Sequence, residues 1–253
     1  MKDDQLLRYS RQIMLPQVDI VGQQAFLDSH VVIVGVGGLG SPAAMYLAAA
    51  GVGSLTLVDD DVVELSNLQR QLAHAESDLG KSKAESAAAT LREINSEVEV
   101  QVVNRRVGAA ELGQLVNSAD VVLDATDNFD TRFAINRACL AAGVPLVSGA
   151  AIRLEGQVAV FDSRLSTSPC YECLYKGGDG GDLTCADNGV LAPVVGIVGS
   201  MQALEALKLI AGFGEPLVGR LLLLDASTLQ WREMKLPRDP DCAACGTIEV
   251  SPT

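Results

Sequence analysis

Four cysteines stand in two Cys-x-x-Cys pairs, Cys170/Cys173 and Cys242/Cys245, downstream of a glycine-rich loop, Gly35-Val36-Gly37-Gly38-Leu39-Gly40. Each pair can supply two thiolates to a tetrahedral zinc ion. Two pairs complete a four-cysteine site with no position left for substrate, so the metal they predict is structural. A redox Cys-x-x-Cys more often stands alone at a helix start beside a βαβ unit. The long interval between the pairs means that zinc would pin two distant segments together. Cys185 is a different kind of thiol. It lies in a glycine-rich stretch, residues 177–189, where it could attack an activated acyl group. The acidic residues around it oppose the thiolate that such an attack requires. Nucleophile and spectator both stand as readings. Cys139, in an apolar helical run, reads as core.

Gly35, Gly37 and Gly40 hold the G-x-G-x-x-G positions between a predicted strand and a predicted helix. Without a Cβ the backbone there can turn sharply and approach a phosphate, while free amides and the helix dipole favour an anion. The acidic run Asp59-Asp60-Asp61 ends the next strand about 20 residues on, where a carboxylate can accept from ribose hydroxyls. Asp59 and Asp61 are the candidates. Glycines serving only close helix packing are the plainer alternative. Ser66-Asn67-Leu68-Gln69-Arg70-Gln71 then places hydrogen-bonding side chains and one arginine after the acids, and Lys83 opens the next helix. Arg70, Lys83 and the incoming Arg11 would bring three positive charges to a triphosphate, more than the pyrophosphate of a nicotinamide cofactor needs. Taken singly, each cation reads as a solvated surface residue. Asp127, in Asp124-Ala125-Thr126-Asp127-Asn128 at the C-terminal end of a strand, could hold Mg2+ through one carboxylate. Asp127 or Asn128 could equally cap the following helix. His30 and His74 receive no catalytic role.

The elements that would position these groups alternate along the chain. Residues 5–29 read as N-terminal helices with Arg8 and Arg11 on one face. His30 to Val34 is a continuous apolar run, the pattern of a strand buried on both faces. Helix 41–50, strand 54–58, helix 81–94, strand 98–103, helix 109–117, strand 120–125, helix 129–142 and strand 144–149 follow. Such alternation implies right-handed crossovers and an α/β, Rossmann-like, doubly wound and mostly parallel sheet, with a nucleotide-binding core over residues 30–150. Residues 151–246 change character. Strands 155–162, 219–225 and 228–236, with a hairpin turn at Asp225-Ala226-Ser227, predict a C-terminal antiparallel extension that carries the cysteine pairs. Residues 1–253 read as a single domain, with a short tail over 247–253.

Of the 253 residues, 48% are hydrophobic and 20% charged, which excludes a disordered or collagen-like chain. A net charge of −13 argues against nucleic-acid and anionic-membrane partners, whose phosphates need clustered cations. The N-terminus carries no apolar signal core. The longest uncharged stretch, Asn188 to Leu204, contains Pro193 and several glycines and falls short of the roughly 20 apolar residues of a spanning helix, so it reads as buried. A cytoplasmic setting is expected, with the thiols kept reduced.

In order and spacing, several segments resemble the MoeB/ThiF adenylyltransferase family, relatives of the ubiquitin-activating enzymes. They are Arg8-Tyr9-Ser10-Arg11-Gln12, the glycine loop, Ser66 to Gln71, Asp124 to Asn128, Ser148-Gly149-Ala150-Ala151, both cysteine pairs and Pro193 to Lys208. Ser148 to Gln157, Leu183-Thr184-Cys185 and Arg232 to Leu236 lean toward the molybdopterin branch, MoeB, over the thiazole branch, ThiF.

The resemblance implies an adenylyltransferase. ATP with Mg2+ would be attacked at its α-phosphate by the C-terminal glycine carboxylate of a small ubiquitin-like sulfur carrier, a MoaD-like protein ending in Gly-Gly. Pyrophosphate would leave and an acyl-adenylate would remain. Positioning and charge neutralisation carry such a step, since the carboxylate is already ionised. By the same resemblance, Gly38 and the glycine loop approach the nucleotide, Asp59 binds ribose, and Asn67, Arg70 and Lys83 engage phosphates. Asp61, Ser66, Gln69 and Asn128 join the nucleotide contacts, and Asp127 anchors magnesium. Arg11 would reach the neighbouring subunit's site, making a homodimer the functional unit. At Cys185 the family divides: thiazole-type members form a covalent acyl-disulfide with the carrier, and molybdopterin-type members adenylate without it. The rhodanese domain of longer relatives does not follow Cys245, so a separate sulfur donor, a cysteine desulfurase or a rhodanese, is expected. Activation of a ThiS-type carrier for thiamine thiazole synthesis is one alternative. An NAD-dependent oxidoreductase is another, and it leaves the four cysteines unexplained. A catalytically silent carrier-binding scaffold would have little reason to keep Arg11, Arg70, Lys83 and Asp127.

Overall fold

The computed structural model describes residues 1–176 and 188–246. Three short helices, α1 (Asp3–Arg8), α2 (Ser10–Ile13) and α3 (Asp19–Asp28), lead into an alternating run. It comprises β1 (His30–Val34), α4 (Gly40–Ala50), β2 (Ser54–Val58), α5 (Lys83–Ile94), β3 (Glu99–Val103), α6 (Ala109–Asn117), β4 (Val121–Asp124), α7 (Phe129–Ala142) and β5 (Leu146–Ile152). Beyond it lie β6 (Glu155–Phe161), the short α8 (Tyr171–Leu174), the long α9 (Ala192–Ala211), β7 (Arg220–Asp225) and β8 (Gln230–Lys235). The strands form one sheet in the order β3-β2-β1-β4-β5-β6-β7-β8. The first five run parallel and the pairs from β5 to β8 antiparallel, so the expected core and extension are both borne out. Asp225 pairs with Gln230 across the expected hairpin.

The apolar run of β1 is explained by helices on both faces. Val31, Val32 and Ile33 are completely buried. Val31 and Ile33 join the cluster that includes Leu47 of α4, Leu91 of α5 and Val198 of α9. Val32 and Val34 join the opposite cluster, with Val116 of α6 and Ile135 of α7. Each such side chain contributes about 1.5–3 kcal/mol on full burial, and a one-residue slip of the strand would exchange the two sets.

Helix α9 runs seven residues beyond Leu204, and by length and composition alone it could cross a bilayer. Its inner side is built for a protein interior instead. Gln202, fully buried, donates from Nε2 to the carbonyls of Asp124 (2.7 Å) and Val147 (3.2 Å). Glu205 accepts from Lys208 Nζ (2.6 Å) and from the Leu217 N–H (2.8 Å). These bonds from Gln202 Nε2 and to the Glu205 carboxylate tie α9 to the sheet. The buried reading of this stretch holds for that side, whereas Leu204 is 48% exposed.

The strand order reverses direction at β1. One connection leads outward to β2 and β3, and the chain then returns to β4 on the other side of β1. The loops after β1 and β4 therefore diverge and leave a crevice at the C-terminal edge of the sheet, where open α/β sheets bind ligands.

Candidate functional site

A cavity of about 520 Å³ occupies that crevice. Its floor follows from two glycines. Gly35 leaves β1 at φ +88°, and a Cβ there would stand 2.7 Å from the Ala125 carbonyl oxygen, so only glycine lets the ends of β1 and β4 approach. A Cβ on Gly40 would lie 1.9 Å from the Gly35 carbonyl oxygen, so the loop could not fold back on itself to start α4. Gly37 and Gly38 line the cavity just before the α4 N-terminus, whose dipole favours an anion.

Asp59, just past the end of β2, uses both carboxylate oxygens. Oδ2 accepts from the Val36 N–H (2.7 Å) and Oδ1 from the Asp61 N–H (2.9 Å), which ties the glycine loop to β2. Burial raises the Asp59 pKa, opposed by those two amides and by the charge of Lys83. Each oxygen keeps a lone pair that could serve a ribose hydroxyl. The Lys83 side chain is 9% exposed, and Nζ lies 2.7 Å from Asp61 Oδ2. Arg70 also lines the cavity, its Nη1 donating to the Ser66 carbonyl (2.9 Å). Asn67 folds back on its own turn, Oδ1 accepting from the Glu64 N–H (3.1 Å). Ser66, Asn67 and Gln69 are not among the cavity-lining residues. Arg11 is exposed on α2 and lines no part of the cavity in its own chain.

Beyond β4, Asp124 is fully buried. It accepts from the Thr126 N–H (3.1 Å), Thr126 Oγ1 (2.7 Å) and Ser148 Oγ (2.9 Å), bonds that fix the turn presenting Asp127 and Asn128. Asn128 Oδ1 accepts from the Thr131 N–H (2.9 Å) and caps α7. Asp127, which also lines the cavity, is thereby spared the capping role and could hold a divalent cation. His74, 7% exposed, donates from Nε2 to the Val36 carbonyl (3.2 Å), with Nδ1 2.9 Å from Ser86 Oγ. Burial lowers its pKa. His30 lies at the other end of β1, its ring bonded to the Ser118 carbonyl and Thr56.

Among the cavity-lining residues, sequence reasoning missed the cations Arg105, Arg106 and Arg132, and it gave Gln71 no role beyond its place in the Ser66–Gln71 segment. Arg132 stands one helical turn beyond the Asn128 cap, a spacing the sequence offers. Its Nη2 donates to the Thr126 carbonyl (2.5 Å) and its guanidinium lies 5.9 Å from the Phe129 ring centroid. Arg105 and Arg106 follow β3, and only the strand order brings them here. In a chain of net charge −13, Arg70, Lys83, Arg105, Arg106 and Arg132 thus gather at one cavity, among Asp59, Asp60, Asp61, Asp127 and Asp130. That mixture suits a polyanion accompanied by a divalent cation.

The four paired cysteines meet away from this cavity. Cys170 Sγ lies 3.8 Å from Cys173 Sγ and 3.6 Å from Cys242 Sγ, and Cys173 Sγ lies 3.5 Å from Cys245 Sγ. A tetrahedron of zinc–sulfur bonds places its sulfurs about 3.8 Å apart, so the cluster is compatible with zinc. Burial pushes the Cys245 thiol up to about 11 and Cys170 further still, and thiols so close ionise together only around a cation. The Cys170 and Asp239 N–H groups each donate to Cys173 Sγ at 3.4 Å. The cluster joins the segment after β6 to the segment after β8. Cys139 is buried in the core, and Cys185 lies outside the described residues.

Comparison with known proteins agrees with this geometry. The ThiF family profile matches residues 9–244. The molybdopterin-synthase adenylyltransferase of Escherichia coli is 50% identical over 246 residues, 97% of this chain and 98% of that protein. The sulfur carrier protein ThiS adenylyltransferase of the same organism is 43% identical over 252 residues, the full length of both. Among solved structures, Escherichia coli MccB with ATP superposes with a TM-score of 0.80 at 25% identity, covering 90% of this chain and 70% of that one. With the profile spanning nearly its whole length, the chain belongs to the ThiF family of adenylyltransferase enzymes.

Proposed function

We propose that this enzyme uses ATP to adenylylate the C-terminal glycine of a ubiquitin-like sulfur carrier of the molybdopterin-synthase type, releasing pyrophosphate. The observation that carries the proposal is the gathering of five cationic side chains over a glycine loop in a strongly acidic chain. The carrier assignment rests on the name of the molybdopterin-type relative, which is more similar than the thiazole-type one.

In this reading the amides of Gly37 and Gly38 receive the phosphates and Asp59 takes a ribose hydroxyl. Arg70 and Lys83 neutralise charge on the oxygens, Lys83 exchanging Asp61 for phosphate. Asp127 holds Mg2+, which supplies further neutralisation of the phosphate chain. A carboxylate oxygen of the carrier bonds to the α-phosphorus as the bond to the pyrophosphate oxygen breaks, and no proton has to be removed from the nucleophile. The side chains therefore act by placement and by electrostatics. Arg11 serves the site of a second copy in a homodimer. Cys170, Cys173, Cys242 and Cys245 hold zinc as a cross-link. Cys185 is dispensable for adenylation, sulfur comes from a separate donor, and the enzyme works in the cytoplasm.

The test is ATP–pyrophosphate exchange with Gly-Gly-ended carriers of the molybdopterin and thiazole types side by side. Exchange that depends on the molybdopterin-type carrier is expected. Exchange with the thiazole-type carrier alone would reassign the pathway, and exchange with neither, together with tight NADH binding, would refute the function.

A further inference from the structure

Gln71 is 4% exposed, yet its Oε1 is buried without a hydrogen-bond partner. Buried polar atoms in folded proteins are nearly always paired, and an exception requires a reason. Loose local structure is not the reason here. The Gln71 N–H donates to the Asn67 carbonyl (3.0 Å), and the His74 N–H donates to the Gln71 carbonyl (3.1 Å). The neighbouring polar side chains are also satisfied: His74 engages both ring nitrogens and Asp59 both oxygens.

The unpaired carboxamide lies at the cavity wall. Gln71 lines it together with Gly37, Asp59 and Arg70. A Cβ on Gly37 would meet Gln71 Nε2 at 3.4 Å, an ordinary contact distance, so the amide stands directly beside the glycine loop. A carboxamide offers an acceptor and two donors without charge. A phosphate oxygen could use only the donors. A ribose hydroxyl can donate to the unpaired acceptor and receive from the amide N–H, and the ribose-binding candidate Asp59 lines the same cavity.

We infer that Gln71 is a specificity-determining contact to a ribose hydroxyl of the bound nucleotide, an inference that rests on the nucleotide reading of the cavity. Asp59 attracts either hydroxyl as a charge, whereas Gln71 pairs with one of them as both donor and acceptor. The acceptor left bare in the free protein is completed by the substrate.

The experiment compares the dissociation constants of ATP, 2′-deoxy-ATP and 3′-deoxy-ATP for the full chain and for Gln71→Met and Gln71→Glu. Wild type is expected to prefer ATP over one deoxy form by about tenfold, the worth of one hydrogen bond to a buried partner. Gln71→Met should lose at least threefold of that preference while binding the same deoxy form as wild type does, the signature of a coupled pair. Because the methionine removes an unpaired acceptor, its melting temperature should not fall. Gln71→Glu keeps the acceptor, so the preference should survive even where added negative charge weakens all three nucleotides. An equal loss for all three nucleotides in Gln71→Met, an unchanged preference in it, or a preference abolished in Gln71→Glu would overturn the assignment. Wild type that binds ATP without any ribose preference would overturn it too. Failure of wild type to bind ATP at all would instead defeat the nucleotide reading itself.

Discussion

Replacing Lys83 by methionine separates what this side chain does for the site from what it does for the fold. Its ammonium lies 2.7 Å from Asp61 Oδ2, with the lysine side chain 9% exposed and the aspartate side chain 67% exposed. Since Asp61 is mostly in water, losing the pair costs about 0–1 kcal/mol, and a methionine stem can occupy the same channel. Removing a cation from the first turn of α5 returns about 0.3–1 kcal/mol. The melting temperature should therefore move by no more than about 2–4 °C, the shift that 1 kcal/mol produces in a chain of this size. A phosphate oxygen about 4 Å from the ammonium, by contrast, gains about 4 kcal/mol at an effective dielectric constant near 20. Giving up Asp61 and shedding water takes back roughly half, leaving about 2 kcal/mol, or about 30-fold in affinity or rate. Carrier-dependent ATP–pyrophosphate exchange, measured over a range of ATP concentrations beside a thermal melt, should thus fall about 30-fold without loss of fold. Exchange within about threefold of wild type would refute the reasoning, as would a loss that tracks a melting-temperature drop well beyond about 4 °C.

Three further outcomes are expected. Asp127→Ala should bind ATP, read by calorimetry, yet form almost no acyl-adenylate in a single turnover; wild-type turnover would end the magnesium assignment. The purified chain should carry zinc by elemental analysis, and Cys170→Ser or a strong chelator should remove it and lower the melting temperature; an unchanged melt after complete removal would contradict the cross-link. Acid should destabilise the protein through His74. Its folded-state pKa is lowered from 6.5, so below that pH the unfolded chain takes up a proton that the folded chain refuses, and stability falls as pH drops from 6.5 toward the lowered value. His74→Gln should flatten the acid limb of a denaturant-midpoint profile below pH 6.5, and an unchanged limb would remove His74 as its source.

What the sequence made legible was chemistry that is local in the chain. The Val-Val-Ile-Val run announced a strand covered on both faces, and β1 is completely buried over Val31 to Ile33. The cysteine pairs were readable because each knuckle is built within four residues, although 72 residues separate Cys170 from Cys242. The gathering of Arg105 and Arg106 at the cavity was not readable. No spacing encodes it, because the return of β4 to the far side of β1 creates the crevice. The same limit applies to Ser66, Asn67 and Gln69, whose types suit a ligand but whose turn, closed by the Asn67 bond to Glu64, leaves only Arg70 and Gln71 at the wall. Arg132 was available from helical spacing, since the helix was expected to start at residue 129 and does so.

Helix α7 is held at its first turn and again along its middle. Asn128 caps its first turn beside the cavity. Farther along, Asn136 Oδ1 accepts from the Tyr171 N–H (2.9 Å), Arg137 pairs with Glu172 (2.9 Å), and the Tyr171 ring sits edge-on to Phe133. Tyr171 and Glu172 are the residues between Cys170 and Cys173, so the sulfur clasp is bonded to the helix that begins two residues after Asp127. No sulfur of the clasp touches the cavity. Loss of a zinc ion from that clasp is nonetheless expected to be felt at the turn that carries Asp127, because α7 is bonded to both.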